Sequence, residues 1–485
     1  MRILYIDIDS LRPDHLGCYG YPRATSPNID RIAGEGVRFE QLYVSDAPCL
    51  PSRTAFWSGR FGYHTGVVNH GGTAADPFNE GPGRRGQDLF GTTGWMRQLR
   101  RRGLRTATVS PFGERHSAWH WYAGFNEIIN TGNNGLEIAD EISPPALDWL
   151  ARNGAADDWF LHVNYWDPHT PYRTPLEFGN PFASEPLPEW LTEEVRERMW
   201  RGYGPHSAQE PWGFDVRATP RFPREPDQID SMESVRRCID GYDVGVRYAD
   251  EHVGRLLQAL ADQGVLDETV VIIGADHGEN LGELNVWGDH QTADLPTCRV
   301  PWIVRWPGTG GSPRVDRALH YQFDWAATMV ELLGGEVPAN WDAASFAGAF
   351  RSGQEEGRPH LVVSQNTWSC QRAVRFGPHL CIRTYHDGYK ELAPILLFDL
   401  DADPHQQRDL SAERPDLVDH AMSLLTGWQQ EMAATSANDR DPLLTAVREE
   451  PFYLRGELGP YLERLRRTGR EEQAKRLEGL HPVGA

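Results

Sequence analysis

The stretch "VRRCIDGYDVGVRYADEHVGRLLQALADQGVLDETVVIIGADHGE", residues 235–279, decides the fold. Apolar residues recur at three- and four-residue spacing through Val235, Ile239, Tyr242, Val246, Ala249, Val253, Leu256 and Leu260, which predicts a long amphipathic helix. Gly264 ends it. "TVVIIG" (269–274) is then a continuous run of mostly β-branched residues, the pattern of a strand buried on both faces. Asp276 and His277 follow directly. A helix feeding a buried strand, with a carboxylate and an imidazole just past its carboxyl end, is half of a βαβ unit. Open α/β sheets carry their chemistry at that edge.

The same alternation recurs along the chain. "RILYIDID" (2–9) reads as a strand, and "SPNIDRIAGEGVRF" (26–39) as cap, helix, glycine and strand. "GWMRQLRRRGLRTATVS" (94–110), "PPALDWLARNG" (144–154) with "WFLHVNYWDPHTPY" (159–172), and "CRVPWIVRWPG" (298–308) continue it. The fold class is α/β. Residues 173–230, rich in Pro, Glu and Trp, read as an insertion or lid on a catalytic domain spanning 1–355. From about 360, short strands such as "HLVVSQ" and "HLCIRTYHDG" point to a smaller C-terminal antiparallel-sheet subdomain over 356–435. Residues 436–485 read as a helical tail, which either packs on its own subunit or serves a homo-oligomer.

Bulk composition excludes several classes. The 485 residues carry a net charge of −21 with no compensating Lys/Arg block, which argues against nucleic acid. No apolar run reaches membrane-spanning length, so no membrane is expected. The N-terminus reads as a strand, and the expected location is cytoplasmic. Six scattered cysteines then read as reduced thiols. Only Lys390 and Lys475 are lysines. A site for an anion must therefore draw its positive charge from arginine, histidine, helix ends or metal.

Four places gather such groups: Asp7, Asp9 and Ser10; Cys49 and Arg53; Asp167 and His169; Asp276 and His277. Each alone has a structural reading, as a turn carboxylate, a buried thiol or a loop histidine. Together, at strand ends of one sheet, they read as a site. Carboxylates with a single imidazole suit Ca²⁺, Mg²⁺ or Mn²⁺. Cys49 opens a helix, where the dipole favours a thiolate, and Arg53 returns to the same side four residues later.

"CLPSR" followed by "TAFWSGR" (49–60) resembles the signature C-x-P-S-R-x(4)-T-G-R of the sulfatase family, with Ser58 in place of the usual threonine. "DSLRPDHLGCYGY", "SPNIDRIAGEGVRFEQLYV", "GADHGENLGE" and "LFDLDADPHQQRDLS" are similar to that family's further blocks, in order. The resemblance implies the large α/β/α sandwich of the alkaline phosphatase superfamily. It implies that Cys49 is oxidised to formylglycine by a formylglycine-generating enzyme that reads Pro51, Ser52 and Arg53. One hydroxyl of the hydrated aldehyde then attacks sulfur, and the second expels sulfate by C–O cleavage. It implies metal ligation by Asp9, Asp276, His277 and residue 49, with calcium or manganese as the ion. His169 matches the histidine that contacts sulfate.

Two departures matter. Ser10 stands where a second aspartate is common, and His277 where asparagine is common. The two usual active-site lysines are missing. Their stretches read "VSPFGERHSAWHWYAGF" (109–125) and "LNVWGDHQTAD" (284–294), so His116 and His290 are the expected replacements, with Asp289 orienting His290. Titratable histidines in those places imply an acid to near-neutral optimum. Asn69 and His70, in "GVVNHGG", are further substrate-binding candidates. The expected activity is hydrolysis of a small anionic sulfate ester. The alternatives are a phosphonate monoester or phosphodiester hydrolase, and a non-catalytic binding protein on the same scaffold.

Overall fold

The computed structural model describes residues 1–80, 89–214, 221–308 and 313–481. Its main sheet has eight strands. In spatial order they are Arg314–Asp316, Val37–Phe39, Trp302–Arg305, Thr269–Gly274, Arg2–Ile8, Trp159–Tyr165, Arg105–Val109 and Glu127–Ile129. The Arg2–Ile8 strand runs parallel to both neighbours, as does Arg105–Val109. Trp302–Arg305 runs antiparallel to both of its own.

The central strands are apolar because helices cover both faces. Ile3, Leu4, Ile6 and the run Val270–Ile273 are fully buried, each side chain contributing about 1.5–3 kcal/mol of burial. One helical layer joins Pro27–Ala33, Ala139–Asn153 and the 31-residue helix Met232–Asp262; the other joins Cys49–Ser58, Trp95–Arg101 and Gln322–Leu332. The helix expected from Pro144 begins earlier, at Ala139. There the Glu141 carboxylate accepts the Ile138 N–H and secures the first turn, so Pro144 and Pro145 fall inside the helix.

The second sheet has five strands, in the order Ile395–Asp399, His379–His386, Cys370–Phe376, His360–Gln365 and Asp46–Ala47. The first four are antiparallel neighbours. The last is a two-residue strand from the N-terminal part of the chain, parallel to its partner through the pairs Ser364–Asp46 and Gln365–Ala47. It fastens the small sheet to the segment that leads into Cys49.

Within 173–230 the described residues form a short 3-10 turn, Leu176–Phe178, and the helix Glu193–Arg201, capped by the Thr192 hydroxyl; residues 215–220 of that excursion lie outside the described residues. The tail forms helices Pro442–Arg448, Leu458–Arg467 and Glu471–Leu480, and residues 482–485 lie outside the described residues. Tyr461, Leu462, Leu465, Ala474 and Leu477 bury themselves against Tyr203, Trp368 and Tyr389 of the same chain. Among the described residues no helix is long and apolar enough to cross a membrane.

Candidate active site

The Asp46–Ala47 strand passes through Pro48 directly into the helix Cys49–Ser58, every residue of which is buried. Gly59, at φ 67°, ends it in the left-handed conformation that favours glycine. Cys49 is thus the first helical residue, at the carboxyl edge of the main sheet. The end of Arg2–Ile8 supplies Asp9, and the end of Thr269–Gly274 supplies Asp276 and His277. One donor atom from each of Asp9, Cys49, Asp276 and His277 lies within 4.8 Å of the others, all buried. Cys49 Sγ is 3.0 Å from His277 Nε2.

Arg53, one turn later, sits beneath this group. Its Nε donates to Asp7 Oδ2 at 3.0 Å, and its Nη1 donates to Asp9 Oδ2 at 3.1 Å and Asp276 Oδ2 at 2.5 Å. Asp7 Oδ2 also faces His162 Nε2 at 3.2 Å. Asp7 therefore lies behind Arg53, outside the four-residue donor group. Ser10 stays outside it too; its hydroxyl donates to Asp9 Oδ1 at 3.2 Å.

Three buried carboxylates thus share one guanidinium. Burial, with Asp9 and Asp7 close by, raises the Asp276 carboxyl well above its usual range despite Arg53. For Asp9, burial is outweighed by Arg53, His277 and His290, and the carboxyl is held low. Asp276 Oδ1 is buried without a hydrogen-bond partner. His277 Nδ1–H donates to Gly278 O at 2.8 Å, which leaves Nε2 with its lone pair toward Cys49 and Asp9. The excess negative charge, the orphaned oxygen and the fixed tautomer together fit a divalent cation held by Asp9, Asp276, His277 and residue 49.

The helix-dipole expectation for Cys49 does not hold. Burial, then Asp9 and Asp276, push the thiol well above its ordinary value. Desolvation in a negative surrounding outweighs the half-charge of one helix end.

The predicted histidines form two groups. His290 lies 4.1 Å from His277 and 5.3 Å from His169, ring centre to ring centre. His116 lies 4.8 Å from His70 and 5.0 Å from Phe112. His70 Nε2 accepts the Leu50 N–H at 3.4 Å, so its Nδ1–H donates to Tyr453 Oη at 2.9 Å. Asn69 Oδ1 accepts the His70 N–H at 2.8 Å. Asn69 Nδ2, His116 Nε2 and His290 Nδ1 are buried with no partner among the described residues. Burial pushes His70, His116 and His169 well below the ordinary histidine value and, with His277, lowers His290 to about 3. Burial favours the neutral form of these rings, in which each has one N–H to donate.

Asp289 does not orient the His290 ring, whose Nε2 is 3.6 Å from Oδ1, beyond hydrogen-bond range. The carboxylate accepts the His290 backbone N–H at 2.6 Å and the His206 Nε2–H at 2.8 Å. His206, His162 and Tyr453 were not singled out from sequence, since each sits in a stretch with no motif around it. Trp166 is different. It stands inside "WDPHTP", and both Arg53 (5.9 Å) and Arg115 (4.8 Å) lie over its ring.

The family model described as Sulfatase matches residues 2–335. Human iduronate 2-sulfatase is 28% identical over 372 residues, covering 68% of this chain and 65% of that protein, so the chain spans just under two-thirds of that relative. Among solved structures, a protein in complex with its substrate D-glucosamine-2-N,6-O-disulfate superposes with a TM-score of 0.72 at 20% identity, covering 91% of this chain and 99% of that one. The phosphonate monoester hydrolase of Silicibacter pomeroyi superposes with a TM-score of 0.69 at 18% identity, covering 90% and 96%.

Proposed function

Because this chain belongs to the sulfatase family, we propose that it hydrolyses a sulfate monoester at the site built on Cys49. One observation carries the reading. Cys49 Sγ lies in a buried group with Asp9, Asp276 and His277, all donor atoms within 4.8 Å, and Arg53 ties both carboxylates to the same helix.

We take residue 49 to act as formylglycine, whose hydrated aldehyde supplies an oxygen nucleophile that the raised thiol cannot. Asp9, Asp276 and His277 would hold a divalent cation, which would supply positive charge at the reacting centre. Imidazole among hard carboxylates fits manganese or calcium.

The other steps belong to the chain. Arg53 keeps Asp9 and Asp276 apart and aligned, held in turn by Asp7. His277 offers its lone pair because Gly278 O fixes the proton on Nδ1. Asn69 Nδ2, a buried donor with no partner, is available to a sulfuryl oxygen, and the nitrogens of His116 and His290 are available for hydrogen bonding or proton transfer. An imidazole N–H can hydrogen-bond to the ester oxygen and stabilise the charge that develops there as the S–O bond breaks.

Folds of this kind also carry phosphonate hydrolysis, and two observations keep that second reading in view. Ser10 lies outside the donor group, and an imidazole, His277, lies within it. The test of the first reading is peptide mass analysis of the segment around residue 49, paired with turnover of an aryl sulfate. An aldehyde mass that tracks turnover across preparations supports it. Full turnover by unmodified protein, or by Cys49→Ala, contradicts it.

A further inference from the structure

Cys49 Sγ belongs to two groups of donor atoms at once. The first is the group with Asp9, Asp276 and His277. The second joins Sγ to one ring nitrogen each of His169 and His290, with the three atoms within 4.8 Å of one another and all three residues buried. His169 follows the strand Trp159–Tyr165, and His290 follows the short strand Trp287–Asp289. Their ring centres are 5.3 Å apart. Neither ring has its lone pair committed elsewhere. His169 Nδ1–H donates to Thr170 O, which leaves the lone pair on Nε2. That Nε2 stands 3.9 Å from Asp9 Oδ1, too far for a hydrogen bond. His290 Nδ1 is buried with no partner among the described residues, and its Nε2 is 3.6 Å from Asp289 Oδ1.

We propose that the chain with Cys49 unconverted binds Zn²⁺ through Cys49, His169 and His290, at a site distinct from the carboxylate group described above. Thiolate and imidazole are ligands that zinc favours. Three protein ligands leave its fourth position to water, and the ion brings no d-electron preference for geometry. Ca²⁺, Mg²⁺ and Mn²⁺ call for oxygen ligands, which Asp9 and Asp276 offer and this second group does not. On binding, the Cys49 Sγ–H bond gives its proton to solvent and its electron pair to the ion, with no change of oxidation state. Conversion of residue 49 to an aldehyde removes the sulfur, so the zinc site belongs to the unconverted chain alone. An ion there takes up His169 and His290 together, and it holds the unconverted chain in a form whose two imidazoles are closed to an ester.

The test is metal binding to the full chain, produced without a formylglycine-generating enzyme and shown by peptide mass to carry the thiol. Zn²⁺ binding is followed by calorimetry and Co²⁺ binding by absorption, with Ca²⁺ in excess to fill the carboxylate group. The expected result is about one Zn²⁺ per chain and a thiolate-to-cobalt charge-transfer band. Zinc affinity should fall about 10-fold or more in Cys49→Ser, in His169→Ala and in His290→Ala, and stay within about 3-fold in Asp276→Asn. Thermal melts show whether each variant folds, and His169→Gln or His290→Gln replaces an alanine variant that does not. The proposal is overturned if the unconverted chain binds no Zn²⁺, or if either histidine variant binds it as the wild type does. It is equally overturned if Asp276→Asn weakens binding as much as the histidine variants do, or if the aldehyde-bearing chain binds Zn²⁺ as tightly as the thiol form. Because the thiol form is measured without any ester, the outcome does not depend on whether the aldehyde-bearing chain cleaves sulfate.

Discussion

Asp7 Oδ2 accepts from Arg53 Nε at 3.0 Å, and the same guanidinium reaches forward to both carboxylates of the donor group. Asp7 is thus the rear anchor of the residue that holds the front of the site. Lysine cannot replace a planar fork with three acceptors. Arg53→Lys should lower kcat by about 10²-fold or more, because it leaves buried carboxylates unpaired. Asp7→Asn should lower kcat about 10-fold with a smaller change in KM, since it touches no substrate. Steady-state kinetics on both variants checks this. Equal loss in kcat and KM for Asp7→Asn would place Asp7 elsewhere in the scheme.

Metal removal has a defined consequence. Three buried carboxylates face one guanidinium, and burial raises the Asp276 carboxyl well above its usual range, so the group calls for a cation to balance its charge. Chelation should abolish turnover and lower Tm, and re-addition of metal should restore both. Elemental analysis of the purified protein should find about one divalent ion per chain. Activity that survives exhaustive chelation contradicts the site as described.

His206 donates from Nε2 to Asp289, whose other oxygen accepts the His290 backbone N–H. His206→Gln keeps a donor and should retain activity within about 3-fold. His206→Ala leaves Asp289 buried with one fewer partner and should cost about 1–3 kcal/mol of stability. The Ala–Gln difference in kcat, measured beside thermal melts, separates positioning from folding.

Much of the site was legible because chemistry follows apolar runs directly. Asp9 ends "RILYIDID", and Asp276 and His277 end "TVVIIG", so strand prediction and site prediction were one step. Cys49 and Arg53 were legible from the resemblance of "CLPSR" to the family signature, helical spacing alone favouring a structural reading. What escaped was long-range. A two-residue strand, Asp46–Ala47, carries too little pattern to read, yet it ties the second sheet to Cys49. Asp289 accepts from His206, which comes from a segment with no periodicity, while the ring of its sequence neighbour stands 3.6 Å away, beyond hydrogen-bond range. The charge state of the histidines depends on burial, which local sequence does not report.

A buried carboxyl outside the donor group gives a pH signature. Burial raises Glu225 to about 8, against an ordinary 4.5, and Oε2 has no partner. The folded state then keeps the proton while the unfolded chain loses it. Stability attributable to this group is therefore unpenalised below about pH 4.5 and falls as pH rises toward 8. Glu225→Gln should remove that slope, gaining about 2–4 kcal/mol relative to wild type at pH 8 compared with pH 4.5. Denaturant melts at the two pH values measure the difference, and parallel pH profiles for the two proteins would refute it.

The most direct test of the central claim pairs two substrates on one preparation shown by peptide mass to carry the aldehyde at residue 49. An aryl sulfate and an aryl phosphonate monoester with the same leaving group are turned over side by side. The account predicts a kcat/KM clearly higher for the sulfate, lost in Cys49→Ala. A clear preference for the phosphonate would contradict it, and would make the Ser10 and His277 departures the mark of a phosphonate or phosphodiester hydrolase on the same fold.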